Sequence, residues 1–160
     1  AFGMRVLAWS ENLTSDKCDE VGAQLVGKQE ILEQSDFLTI HLLLSDRTRQ
    51  LIKAQDLAFM KRSAYLINTS RGPIVDEGAL IEALRHGKIS GAGLDVFDVE
   101  PLPLGHPLRD MPNTVIIPHL GYVTIENYRN WYEGTVENIR SWLDGNVINQ
   151  MAGRNPTTPG

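Results

Sequence analysis

Four segments of this 160-residue chain carry side chains able to do chemistry, and each follows a short apolar run. Thr69-Ser70-Arg71-Gly72 comes after the run that ends at Asn68. Asp95-Val96-Phe97 comes after Leu94, with Glu100-Pro101 close behind. Pro118-His119-Leu120-Gly121 comes after Ile117, and His41 comes after Ile40. If those runs are strands of one parallel sheet, an Arg, an Asp, a Glu and a His converge at one edge. Such a set suits the reduction of a 2-keto acid, which needs a hydride donor, a proton donor and a cation for the carboxylate. A His can give the proton because it titrates near neutrality. A carboxylate beside it favours the imidazolium and fixes the ring. Arg offers a planar fork to the substrate carboxylate and can polarise the carbonyl. A buried Asp accepts from an amide NH2, such as that of nicotinamide.

The elements that must position these groups are read from the apolar pattern. Strands are predicted over residues 4–9, 37–42, 64–68, 91–96 and 114–117. They are largely apolar without clean alternation, as expected of strands covered on both faces of a parallel sheet. Helices are predicted over residues 16–21, 28–34, 54–61 and 77–86, the last capped by Asp76 and stopped by Gly87. A longer helix is predicted over residues 125–143. Ile125, Tyr128, Tyr132, Ile139 and Leu143 form its apolar stripe, Thr124 caps it and Gly145 ends it. The alternation predicts an α/β fold with a doubly wound parallel sheet, whose ligands bind beyond the carboxyl ends of the strands. Residues 1–121 are expected to hold the catalytic groups, 122–150 a long helix and return segment, and 151–160 a loose tail.

Composition narrows the function classes. Net charge is −5 and no basic stripe is present, which argues against a nucleic-acid partner. The densest apolar run, residues 37–44, is too short for a membrane span and contains His41. The single cysteine, Cys18, excludes an internal disulfide framework and fits the cytoplasm. No spacing of His or Cys supports a metal site. His86 is read as a cation in a last helical turn, His106 as loop packing, and Trp131 and Trp142 as helix packing. Cys18 is read as inert, and Asp56 and Asp110 as solvated charges.

Taken in order, Asn68-Thr69-Ser70-Arg71-Gly72, Val75-Asp76, Leu94-Asp95-Val96-Phe97 with Glu100-Pro101, and Pro118-His119-Leu120-Gly121 resemble the D-isomer-specific 2-hydroxyacid dehydrogenases. The resemblance covers residues 1–150 and implies a Rossmann-like NAD(P)-binding domain. It implies hydride transfer between NAD or NADP and a small 2-keto or 2-hydroxy acid, such as glyoxylate, hydroxypyruvate or pyruvate. By the same resemblance Arg71 binds and polarises substrate, His119 is the acid in reduction and the base in oxidation, and Glu100 pairs with His119. Asp95 takes the nicotinamide amide, and the backbone of Thr69 and Ser70 lines the nicotinamide pocket. His41 lies near the cofactor ribose, and Arg71, His119 and Gly121 also border the cofactor. A homodimer is implied as well. The alternatives are a cofactor-sensing corepressor-like binding protein and an inactive fragment.

Two departures from the family pattern shape the expectations. Ser10 stands where NAD-preferring members place an acidic residue on the ribose hydroxyls, and Glu11 is the available substitute; the choice between NAD and NADP leans slightly to NAD. The family's G-x-G-x-x-G turn, expected one strand and one helix before Met4, is absent, and Ala1-Phe2-Gly3 reads as a helix end. In a sheet of order 3-2-1-4-5-6, residues 4–9 would take the second position and 64–68 the fourth, leaving the central strand unfilled. About eight to ten backbone groups would lack partners, on the order of 10 kcal/mol in total. The expectation is that a segment of the natural protein, or another chain, fills the gap.

Overall fold

A computed structural model of the chain describes residues 2–150. The tail expected over 151–160 lies outside the described residues. The chain divides into two units, residues 1–121 and 122–160.

In the first unit Leu38 and Ile40, Leu66 and Asn68, and Ala92 and Leu94 alternate into one core. They belong to β3 (Phe37–Ile40), β4 (Tyr65–Asn68) and β5 (Gly91–Leu94), which with β6 (Thr114–Ile116) form a parallel sheet in the order β3-β4-β5-β6. Leu32 of α2 (Lys28–Gln34), Leu57 of α3 (Ala54–Phe59), and Leu80 and Leu84 of α4 (Glu77–Arg85) pack into the same core. A separate parallel pair joins β1 (Leu7–Ala8) to β2 (Gln24–Leu25), beside α1 (Ser15–Asp19) with its buried Cys18. This is the expected α/β, Rossmann-like arrangement of parallel strands and intervening helices.

Several expectations change. The main sheet is not covered on both faces by its own unit. Phe37, Tyr65 and Val115 alternate with the core residues and are exposed, and the Phe37 and Tyr65 rings stack at 5.6 Å. The strand expected over 4–9 shrinks to Leu7–Ala8, which face Gln24 and Leu25 in register, with the Gln24 N–H reaching back to the Val6 carbonyl. Between α1 and α2 lies β2, which the sequence reading passed over. Its two residues are exposed and include Gln24, so they leave no apolar run. With β2 counted, the strand facing β1 across the gap is β3, not 64–68. Between β1 and β3 runs a groove of about 320 Å³, bordered by Val6 and Trp9 on one side and by Leu38, Ile40 and His41 on the other.

Asp56 is not a solvated charge: it is 5% exposed. One carboxylate oxygen caps α3 by accepting the Lys53 N–H at 2.8 Å, and the other pairs with Lys28 Nζ at 2.7 Å. Helix ends otherwise follow local chemistry. Asp76 accepts the Ala79 N–H at 2.9 Å and starts α4. Beyond Gly87, the Lys88 N–H returns to the Ala83 carbonyl at 2.8 Å and closes it. Predicted ends at residues 21 and 61 move inward because Glu20 caps α1 and Met60 leaves α3 in extended conformation.

The second unit is built on α5 (Ile125–Leu143), whose Thr124 hydroxyl accepts the Asn127 N–H at 3.2 Å. Trp131 packs on Tyr122 and Tyr128 at 5.5 and 5.8 Å, as helix packing requires. Trp142 is exposed, as is the predicted apolar stripe. Among the described residues no helix is long and apolar enough to cross a membrane.

Candidate active site

Each reactive side chain leaves the carboxyl end of a strand, and the turns there are fixed by buried polar groups. Asn68, the last residue of β4, is 2% exposed. Its side-chain NH2 donates to the Arg71 carbonyl at 2.9 Å, and its carbonyl accepts the Ser70 N–H at 3.0 Å. That local ring folds the chain back, as Asn side chains do in turns, and brings Arg71 out into solvent. The Ser70 hydroxyl donates to the Leu42 carbonyl, tying this turn to the segment just after His41. The Arg71 guanidinium donates to the Ser70 carbonyl at 2.6 Å. Gly72 lies flat on the next strand's exit: a Cβ there would sit 2.1 Å from the Phe97 carbonyl carbon.

Asp95 follows β5 and is 4% exposed. Its carboxylate accepts the Leu120 N–H at 2.7 Å and the Gly121 N–H at 3.0 Å. Its backbone carbonyl accepts the His119 N–H at 2.8 Å. Asp95 therefore shapes the loop that presents His119, a role the sequence reading did not give it. An ionised carboxylate has about four acceptor sites, so capacity remains for an amide. His119 itself has φ +55, a left-handed conformation seldom adopted by residues with a side chain and often found at functional sites.

His119 Nδ1 lies 2.7 Å from Glu100 Oε2, and the other carboxylate oxygen of Glu100 accepts the Phe97 N–H at 3.0 Å. Burial raises the Glu100 pKa. The hydrogen bonds from His119 and Phe97, with the positive charges of His119 and Arg71, outweigh it and hold the carboxyl below its ordinary range. Glu100 is thus an ionised acceptor, and Nδ1–H of His119 donates to it.

The structure brings Arg71, Asp95, Glu100, His119 and Gly121 together, with Ser70 and the exposed Thr69 beside them. His41 stands at the end of β3, its Nε2 3.0 Å from the Thr39 hydroxyl, and borders the groove. Ser10 is not in this cluster. It sits past β1 in a turn closed by the Leu13 N–H, while its neighbour Glu11 lies 3.7 Å from Arg47. Among the described residues no group of His, Cys, Asp and Glu could hold a metal ion. Sequence reasoning gave Asn68 no role of its own, although an Asn at a strand end before Thr-Ser is a turn signal.

The reactive rim fits the nicotinamide end of a dinucleotide: a carboxylate with spare acceptor capacity, a His–carboxylate pair and an exposed guanidinium meet at the strand ends. Comparison with known proteins agrees. The family described as D-isomer specific 2-hydroxyacid dehydrogenase, NAD binding domain, matches residues 1–121. A glyoxylate reductase of Aeropyrum pernix is 47% identical over 126 residues, 79% of this chain and 38% of its own length. A glyoxylate/hydroxypyruvate reductase B of Serratia proteamaculans is 46% identical over 125 residues, 78% and 38% of the two chains. The NAD-complexed structure of a D-isomer specific 2-hydroxyacid dehydrogenase from Lactobacillus delbrueckii ssp. bulgaricus superposes with a TM-score of 0.78 at 30% identity, over 94% of this chain and 49% of that one. This chain therefore spans about four-tenths of the length of the curated relatives it matches.

Proposed function

This chain belongs to the D-isomer specific 2-hydroxyacid dehydrogenase family, and from that premise we propose that the full-length protein reduces a small 2-keto acid to its D-2-hydroxy acid. The observation that carries the reading is the 2.7 Å pair between His119 and Glu100 beside the Arg71 guanidinium. NAD or NADP, when bound, supplies the hydride. Every other task falls to side chains of this chain. Arg71 receives the substrate carboxylate in its planar fork and draws electron density from the neighbouring carbonyl. His119, held by Glu100 through Nδ1, gives the Nε2 proton to the oxygen that becomes the hydroxyl. In oxidation the same nitrogen takes it back. Asp95 accepts the nicotinamide amide with the lone pairs its loop leaves over, and Thr69 and Ser70 border the ring. His41, which borders the groove, and Ser10, which follows β1, are assigned to the ribose side of the cofactor. Glyoxylate and hydroxypyruvate are the substrates in the names of the relatives. A cytoplasmic homodimer belongs to the same reading, with Cys18 buried and not in a disulfide.

The test is His119→Gln in the full-length protein. General acid catalysis contributes about 10²- to 10⁴-fold, so kcat for glyoxylate or hydroxypyruvate reduction should fall by at least about 100-fold while KM changes little. A variant that keeps near-normal turnover across a panel of 2-keto acids would remove His119 from the role.

A further inference from the structure

One carboxylate outside the reacting group grips both ends of the loop that carries Glu100. Glu77, the first residue of α4, accepts from His106 Nε2 at 3.1 Å and from the Asp98 N–H at 3.4 Å, one bond to each oxygen. The Glu77 and His106 side chains are only 20% and 17% exposed. His106 Nδ1 accepts the Leu108 N–H at 3.4 Å, which puts the ring proton on Nε2, facing Glu77. Within the loop, Arg109 donates to the Leu102 and Pro103 carbonyls at 2.6 and 2.8 Å, and the His106 N–H donates to the Pro103 carbonyl at 3.1 Å. Asp98 and His106 are thus two fixed points, Glu77 is the post between them, and Glu100 lies on the stretch they bracket. The corner is rich in carboxyls. Burial raises the Asp98 pKa, and so do the charges of Glu77 and Asp76, with Arg49 and His106 opposing.

The same helix start belongs to the Arg71 segment, which reaches it through the 3₁₀ turn Gly72–Ile74. Gly72 rests on the Phe97–Asp98 peptide. The cation's segment and the acid's loop therefore share one anchor. We propose that Glu77 is a positioning residue for the Glu100–His119 pair, acting by holding Asp98 and His106 and never touching substrate. The proposal rests on the reductase reading above, since it assigns Glu77 a part in that chemistry.

The experiment uses the full-length protein with Glu77→Ala, Glu77→Gln and Glu100→Gln, alone and combined. With the loop released, kcat of Glu77→Ala should fall on the order of 10- to 100-fold, as for other displacements of about 1 Å, with KM for the keto acid within about threefold. The pH–rate profile should shift with it. Glu77→Gln keeps one oxygen for His106 but turns an NH2 toward the Asp98 N–H, so it should recover only part of the rate. Because Glu77 acts through Glu100, adding Glu77→Ala to Glu100→Gln should cost little further rate. Wild-type kcat and pH profile in folded Glu77→Ala, or full additivity in the double variant, overturns the proposal. Should Glu77→Ala fail to fold, His106→Ala removes one of the two holds and is judged by the same measures. The downfield NMR signal of the His119 Nδ1 proton reports its bond to Glu100 without turnover. It should weaken in Glu77→Ala even if no 2-keto acid is reduced, so loss of the reductase reading and loss of this proposal give different results.

Discussion

Glu100 is pulled in opposite directions, and the balance predicts how the protein responds to acid. Burial favours its neutral form, while His119, the Phe97 N–H and Arg71 favour the carboxylate and win. A carboxyl whose folded pKa is lowered stabilises the fold fully above its ordinary value of 4.5. That contribution is lost as pH falls through the lowered value, because below it both folded and unfolded forms are protonated. The side chain is 36% exposed, so solvent screening keeps the effect under about 1 kcal/mol. Denaturant melts of wild type and Glu100→Gln, stepped downward from neutral pH, should converge at the acid end of that range. Curves that stay parallel would mean the pair does not hold Glu100 ionised. Arg71 carries a second prediction. A lysine keeps the charge but loses the fork, so Arg71→Lys should lower kcat/KM by roughly 10- to 100-fold, in line with the about 1.5–3 kcal/mol of a charged hydrogen bond. Unchanged kcat/KM would show that the guanidinium does not receive the substrate carboxylate.

At the scale of elements, the loops are set by close approach as much as by hydrogen bonds. A Cβ on Gly121 would lie 2.8 Å from the Asp95 carboxylate, the same group that holds the Leu120 and Gly121 N–H groups. Gly121→Ala should therefore cost about 1–3 kcal/mol, as overpacking does, and lower turnover by moving the His119 loop. Wild-type stability and rate together would refute that packing. These contacts mark the limit of what the sequence exposed. The apolar runs around Leu38, Leu66, Ala92 and Val115 announced strands, and the N-caps Asp76 and Thr124 announced helices, because both signals are local. Arg71, Glu100 and His119 stood out because each reactive type follows a strand. β2 was hidden because two exposed residues carry no pattern. Asp56 was misjudged because its partner Lys28 is distant in sequence. The Glu77–His106 brace was invisible for the same reason: no period links a helix start to a loop 29 residues on.

For the molecule as a whole, the deciding feature is the groove between β1 and β3. Among the described residues each strand is paired on one side only, β1 with β2 and β3 with β4, in two separate sheets. In a parallel strand alternate residues direct their backbone groups to opposite neighbours, so each of these strands turns part of its main chain toward the groove. The groove walls are apolar at Val6, Leu38 and Ile40, as a sheet interior requires. We propose that a further parallel strand, from another part of the same protein or from another chain, fills the groove. Satisfying about six backbone groups is worth on the order of 10 kcal/mol, comparable with the stability of a whole domain. Hydrogen exchange separates the possibilities. In the full-length protein the groove-facing amides of β1 and β3 should exchange as slowly as those between β4 and β5. In residues 1–160 alone they should exchange many-fold faster, and the fragment should bind NAD or NADP weakly. Equal protection in both would mean that the two sheets close on themselves and that the cofactor needs no strand between them.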